Sequence, residues 1–389
     1  MVGASALGRG LTSTTGLTTE TDPFRHLPLA DIGGFVFGGH EVRCRTLLES
    51  GLDASGRGGF LPTELVESVR GELAAASSEV RPGTLIGASS AVRGLIGPDD
   101  TAVPDDATGR EAVERLAGDI RSFQRRNKLD RVVVINLSST EPFPECVPRN
   151  DAELDAALDE PGGGGLGPST FYALMALEAG AGFINFTPSA GASPRAVAQR
   201  FIKAGLPHCG ADGKTGETLV KTALAPMFAM RNLGVLSWTG RNLLGNRDGE
   251  VLNDPASRNA KLKTKTSQLE GILGYDPEQR VGIDFVRSLG DWKVAWDFIH
   301  FEGFLGVPMR MQFTWEGCDS ILAAPLVLDL ARWTALAMDR GEAGPLAHLA
   351  MYFKAPIECH EHNLVEQHRM LVDYTEGILS QTHWTATPA

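Results

Sequence analysis

The chain has 389 residues, 42% hydrophobic and 22% charged, enough to bury a large core most plausibly divided between two domains. Its 36 basic and 48 acidic residues leave a net charge of −12, which signals no basic face for nucleic acid or acidic lipid. The most apolar run, Ile321 to Leu328, is too short to cross a bilayer and Asp329 closes it; Met1–Leu11 lacks a secretory pattern, and five scattered cysteines do not suggest a disulfide framework. We therefore expect a soluble, cytoplasmic protein.

Residues 13–60 are rich in Gly and Thr. Thr63 to Ala75 and Glu111 to Arg125 have the apolar spacing of amphipathic helices, separated by a Pro-, Gly- and Asp-rich loop. The β-branched run Arg131 to Asn136 reads as a strand buried on both faces. Ser138-Ser-Thr-Glu-Pro142 then forms a polar loop at its carboxyl end, where open α/β sheets bind ligands. The Gly162–Gly167 stretch satisfies G-x-G-x-x-G but follows acidic, loop-like residues, so it reads as a flexible linker. Ser169–Ala179 is helical, Gly182–Thr187 a strand, Pro194–Ala204 a helix, Glu217–Arg231 a helix and Gly234–Trp238 a strand. This alternation predicts a doubly wound parallel sheet. Beyond it come strand-like runs at Val281–Val286 and Val307–Trp315 around a Trp-rich segment, then helix from Cys318 to Met338 and a helical tail. Cys359-His-Glu-His362 offers metal-ligand types without a second pair, so it reads as a solvated helix start and no metal is assigned.

The cations carry the chemistry. There are 27 Arg and nine Lys, and eight of the nine Lys fall between Lys203 and Lys354. Arg-rich composition explains the scarcity of lysine but not its clustering, and only Lys can lose its proton when desolvated. In Asp212-Gly-Lys-Thr-Gly-Glu-Thr218 two glycines let backbone amides approach an anion, and Thr215 or Thr218 could cap the following helix; an ordinary capped turn fits the spacing equally well. Lys261-Leu-Lys263-Thr-Lys265 places like charges one turn apart with no nearby acid, a repulsion of roughly 0.2–0.5 kcal/mol that a bound anion would offset. Gly290-Asp-Trp-Lys293 sets a carboxylate two residues from a lysine. Together these suggest a lysine-lined pocket for a small phosphorylated or carbonyl-bearing substrate.

Seven ordered motifs resemble those of the inositol-3-phosphate synthase family, most closely its short bacterial branch. They are Asn136-Leu-Ser-Ser-Thr-Glu-Pro142, Phe183-Ile-Asn-Phe-Thr-Pro-Ser189, Asp212-Gly-Lys-Thr-Gly-Glu-Thr218, Asn242-Leu-Leu-Gly-Asn-Arg-Asp-Gly249, Gly290-Asp-Trp-Lys293, Cys318-Asp-Ser-Ile-Leu-Ala-Ala-Pro325 and Tyr352-Phe-Lys354. The resemblance implies a Rossmann-type domain over 1–221, an inserted catalytic and tetramerisation domain over 222–330, and carboxyl-terminal helices over 331–389. It also implies an isomerase: glucose 6-phosphate becomes 1D-myo-inositol 3-phosphate, with NAD oxidising C5 and returning the hydride after an enolate closes on the C1 aldehyde. The resemblance assigns Lys261, Lys265, Lys293 and Lys354 to catalysis and phosphate binding, with Lys261 shuttling the C5 hydroxyl proton. Asp291 and Asp319 would orient the lysines and Asn242 would line the sugar site. Ser138, Ser139, Thr140, Asp212, Gly213 and Lys214 would face NAD.

One departure stands out. The family's first strand and Gly-rich loop precede a small-residue helix, and here Met1 to Leu11 matches that helix alone; we read the start as assigned too late. A non-catalytic sugar-phosphate-binding homologue, or an NAD-dependent cyclase or epimerase acting on another sugar phosphate, is the alternative.

Overall fold

The computed structural model describes residues 1–94, 96–97, 103–104, 106–144, 147–245 and 268–385. Lys261, Lys263 and Lys265 lie outside the described residues, as does the end of the polar run that starts at Asn242.

The chain opens with helix α1 (Val2–Gly8), whose Ala4 packs with Ile32 and whose Ala6 packs with Val66 and Leu73. Strands β1 (Gly39–Glu41) and β2 (Val80–Pro82) pair in parallel around α2 (Leu47–Gly58), α3 (Thr63–Ser68) and α4 (Arg70–Ser77). The single helix predicted over Thr63–Ala75 is thus two. It breaks at Val69 (φ −108°), which with Gly71 brings two weak helix formers together. After α5 (Ser90–Gly94), α6 (Gly109–Asn127) starts where Thr108 accepts from the Glu111 amide and ends on left-handed Lys128.

The first main sheet follows: β3 (Val133–Asn136), α7 (Asp151–Asp159), α8 (Pro168–Ala179), β4 (Gly182–Asn185), α9 (Arg195–Ala204) and β5 (Pro207–Gly210). Three strands are parallel, in the order β5-β4-β3. Alternate residues face opposite ways: Phe183 packs with Phe171 and Phe201 of α8 and α9, while Ile184 packs with Leu330 and Trp333 on the other side. Helices therefore cover both faces, as the doubly wound reading predicts. One expectation fails. Val133–Ile135 are only half-buried, because β3 is the edge strand of this sheet, whereas β4 and β5 are wholly buried. Gly162–Gly165 is no flexible linker either. All four glycines have positive φ, and a Cβ on Gly163 would lie 2.7 Å from Ile86 Cγ2 and 2.8 Å from Phe171 Cζ. The run is a packed turn that leaves a helix, not a strand.

Next come α10 (Glu217–Met230), β6 (Gly234–Leu244), β7 (Glu278–Phe285), β8 (Trp292–Glu302) and β9 (Pro308–Cys318). The second sheet has the order β7-β6-β8-β9, with β6 and β7 parallel and the other pairs antiparallel. β6 runs six residues beyond its predicted end at Trp238, so Asn242 is a strand residue. Trp238, Gly240, Asn242 and Leu244 share its buried face; Ala225 and Phe228 of α10 pack with Trp238 and Ile299. The opposite face leaves Trp292 and Trp296 each 39% exposed, and the β8–β9 turn carries Phe304 at 89% and Leu305 at 83%.

Helix α11 (Asp319–Asp339) is long and apolar enough to cross a membrane by length and composition. It lies instead against β3, β4 and β5, with Leu330, Trp333 and Ala337 fully buried. Asp329 does not close the apolar segment as expected. Its buried carboxylate accepts from the Thr18 amide at 2.7 Å and the Thr19 hydroxyl at 2.5 Å, pinning the amino-terminal segment to mid-helix. Short β10 (Gly344–Pro345) extends the parallel sheet beside β5, and α12 (Leu364–Thr385) ends the described chain. Cys359–His362 precedes α12 as a largely half-buried loop rather than starting it.

Candidate active site

The carboxyl ends of β3, β4 and β5 deliver three loops to one end of the first sheet. Asn136 donates to Asn185 Oδ1 at 3.1 Å and Thr187 Oγ1 at 3.2 Å, and its own Oδ1 accepts from the Ser138 amide. The ends of β3 and β4 are thereby tied by buried, satisfied polar groups. Beyond this tie Ser138 is exposed, Ser139 half-buried and Thr140 buried. Glu141 turns inward. Its carboxylate accepts from the Ser169 amide at 2.7 Å and hydroxyl at 2.6 Å at the start of α8, and burial raises its pKa to about 7.

The segment after β5 is held by the segment after Tyr352. Lys214 N–H donates to Tyr352 O, Lys354 N–H to Asp212 O, and Ala211 and Ala355 exchange both backbone bonds. This non-local ladder positions two lysines. Lys354 Nζ lies 2.8 Å from Asp212 Oδ1, with both side chains largely buried. Lys214 Nζ donates to Gln367 Oε1 of α12 at 2.6 Å. Lys214 has no carboxylate in that contact; burial, with Lys354 adding repulsion, lowers its pKa to about 7. Gly213 sits between them, and a Cβ there would invade the Phe186 ring. Gly213→Ala should therefore cost about 1–3 kcal/mol of stability by overpacking, measured by urea denaturation, and should disturb both lysines.

The same stretch runs on to the second sheet. Thr215 Oγ1 donates to Asp319 Oδ1 at 3.3 Å, and Asp319 Oδ2 holds Lys293 Nζ at 3.1 Å. Neither Thr215 nor Thr218 caps α10, contrary to expectation. Gly216 is the N-cap and no side chain accepts from the first turn; Thr215 is drawn to Asp319 instead. A Cβ on Gly216 would meet Asp319 Oδ1, Trp315 Nε1 and Lys293 Nζ at 3.5–3.7 Å, ordinary contact distances, which places these three groups together around the start of α10. Glu217 holds Lys221 at 3.2 Å and accepts from Asn242 Nδ2 at 2.6 Å. Asp291 is half-buried at the start of β8, where its charge raises the Cys318 thiol pKa after burial has done most of that.

Six consecutive residues, Asp212 to Glu217, thus touch Lys354, Gln367, Asp319 and Asn242. Lys293, Lys354, Lys214, Asp212, Asp319 and Asn242 are gathered around that stretch from elements far apart in the chain. Glu217, Lys221, Gln367 and Trp315 were not predicted. Glu217 was visible inside the glycine-flanked motif, whereas nothing local marks Gln367.

Fold and site define an α/β protein whose parallel sheet and second sheet share one seam, lined by lysine–carboxylate pairs suited to an anionic small molecule. Over 98% of its length the chain is 33% identical to inositol-3-phosphate synthase 1 of Bacteroides thetaiotaomicron, covering 92% of that protein. It therefore belongs to the inositol-3-phosphate synthase family, a family of isomerases. The myo-inositol-1-phosphate synthase family model matches residues 216–320. Inositol-3-phosphate synthase 1 of Rattus norvegicus is 31% identical over 66% of this chain and 50% of its own. In fold, the chain matches the Caenorhabditis elegans inositol-3-phosphate synthase at TM-score 0.83, with 21% identity over all of this chain and 86% of that one. A myo-inositol-1-phosphate synthase-related protein from Thermotoga maritima gives TM-score 0.76, with 24% identity over 96% and 94% of the two chains.

Proposed function

We propose that this chain is an inositol-3-phosphate synthase that isomerises glucose 6-phosphate to 1D-myo-inositol 3-phosphate with NAD. The gathering of two lysine–carboxylate pairs and a neutralisable lysine around Asp212–Glu217 carries the reading. In this reading residues 1–221 form a Rossmann-type cofactor unit, 222–330 an inserted catalytic unit, and 331–389 return to the first.

The residues present fit a dinucleotide: exposed Ser138 and half-buried Ser139 follow the carboxyl end of parallel strand β3, and the Asp212–Lys214 turn follows the same end of β5 in that sheet. When bound, NAD supplies a hydride acceptor that is regenerated in each cycle. Asp319 and Asp212 hold Lys293 and Lys354 in place, so each can neutralise a phosphate oxygen or a developing enolate oxygen. Lys214, with its pKa near 7, can exchange a proton at neutral pH. The proton-shuttle role stays with Lys261, and Lys265 completes the phosphate and carbonyl set.

The deciding experiment follows glucose 6-phosphate by phosphorus and proton NMR with this chain and catalytic NAD. Inositol phosphate without net NADH is the expected result. Absence of product, here and with an amino-terminally extended chain, would favour the sugar-phosphate-binding alternative.

We also propose a homotetramer in the cytoplasm, built through the open face of the second sheet. Its aromatic surface and the Phe304–Leu305 turn are too apolar to stay bare on a monomer. Phe304→Asp with Leu305→Asp should lower the mass seen by light scattering; an unchanged tetramer would place the interface elsewhere.

A further inference from the structure

We infer that Glu217 is a positioning residue: it fixes the Asn242 carboxamide so that this position accepts a hydrogen bond from a substrate hydroxyl and cannot donate one. The inference rests on the sugar-phosphate reading above and adds to it the sense of the contact.

Asn242 is 1% exposed and its Nδ2 lies 2.6 Å from Glu217 Oε2. A carboxylate only accepts, so it must take the amide NH2 and leave the carbonyl oxygen turned away. Glu217 Oε1 is taken up by Lys221 Nζ at 3.2 Å, which leaves Oε2 to the carboxamide. Gly240 makes the arrangement possible, since a Cβ there would lie 2.6 Å from Glu217 Oε1. The freed oxygen, Asn242 Oδ1, is buried and has no hydrogen-bond partner among the described residues. A buried acceptor left unpaired is an unusual and costly state that a ligand O–H would relieve.

A second atom sets the other end. Trp315 Nε1, a donor only, is likewise buried without a partner among the described residues. Asn242 pairs with Ala295 on β8, and Ala295 with Trp315 on β9, so the two lie two strands apart at one level. Two inter-strand steps are about 9–10 Å. Lys293 is on β8 one step along the same face. The face thus offers a hydroxyl acceptor at one end and, at the other, an N–H beside a lysine. That polarity matches a polyol bearing one phosphate, entered hydroxyl-first toward Asn242.

The test compares glucose 6-phosphate with its 2-, 3- and 4-deoxy analogues on wild type, N242A and the charge-neutral pair E217Q/K221M, which leaves no buried charge unpaired. Wild type should discriminate against one deoxy compound by about tenfold to a hundredfold in kcat/KM. N242A and E217Q/K221M should both lose most of that discrimination. A merely structural role for Glu217 would lower every substrate alike. If that pair does not fold, E217Q/K221Q, also charge-neutral and still able to hydrogen-bond across the pair, is read the same way. Unchanged discrimination in a folded variant overturns the inference and leaves the function standing. Neither turnover nor binding of any of the series by wild type overturns both.

Discussion

Lys354→Met is expected to lower the unfolding free energy by about 3–5 kcal/mol and to cut turnover by roughly a thousandfold. Its partner explains the first number. Asp212 is 3% exposed, and removing the ammonium 2.8 Å away takes that counter-charge from a buried carboxylate. The catalytic loss has a separate origin, since Lys354 is one of the cations proposed to neutralise developing negative charge. Lys354→Met combined with Asp212→Asn separates the two. The double variant should regain most of the stability in urea denaturation, because a neutral pair of similar volume carries little desolvation penalty. It should regain no turnover. Recovery of activity with stability would mean that Lys354 is structural and that the lysine pairs are not the reacting groups.

The parts of this site differ in how far local pattern reveals them. α6 and α10 are predicted within a few residues because their apolar periodicity and the Glu111 and Glu217 starts are local properties. β5 is absent from the sequence reading: four residues, Pro207–Gly210, include a proline, a histidine and a glycine, and only burial between β4 and β10 makes them a strand. β6 was cut short because Gly240–Asn242 reads as loop; pairing with β8 carries the strand onward, and Glu217 occupies the space that Gly240 leaves. The lysines are visible as a cluster in sequence and the resemblance names Asp319, the partner of Lys293, but the partners of Lys354 and Lys214 are not marked as such. Lys354 meets Asp212 and Lys214 meets Gln367 through a ladder joining residues about 140 positions apart, and no window-based pattern encodes that pairing.

Lys214→Met should make the protein more stable near neutral pH, and the gain should vanish as pH rises. The folded chain holds Lys214 at a pKa of about 7, against 10.5 for an exposed lysine, because burial disfavours its charge. Between those values the unfolded state binds more protons, so wild-type stability climbs with pH through that window. Well below pH 7 both states are protonated and the full penalty, on the order of 4–5 kcal/mol, is present. Above about pH 10.5 both are neutral and only the Gln367 hydrogen bond separates wild type from variant. The difference in unfolding free energy between the two, measured by urea denaturation from pH 6.5 to 10, cancels groups common to both. It should therefore start large in favour of Met and shrink steadily; a flat difference would show that Lys214 stays protonated in the folded state. Turnover should move the other way, falling in Lys214→Met at every pH. A buried cation retained against such a cost beside Lys354 and the Asp212 turn is what a site that must move protons requires, and the core alone does not.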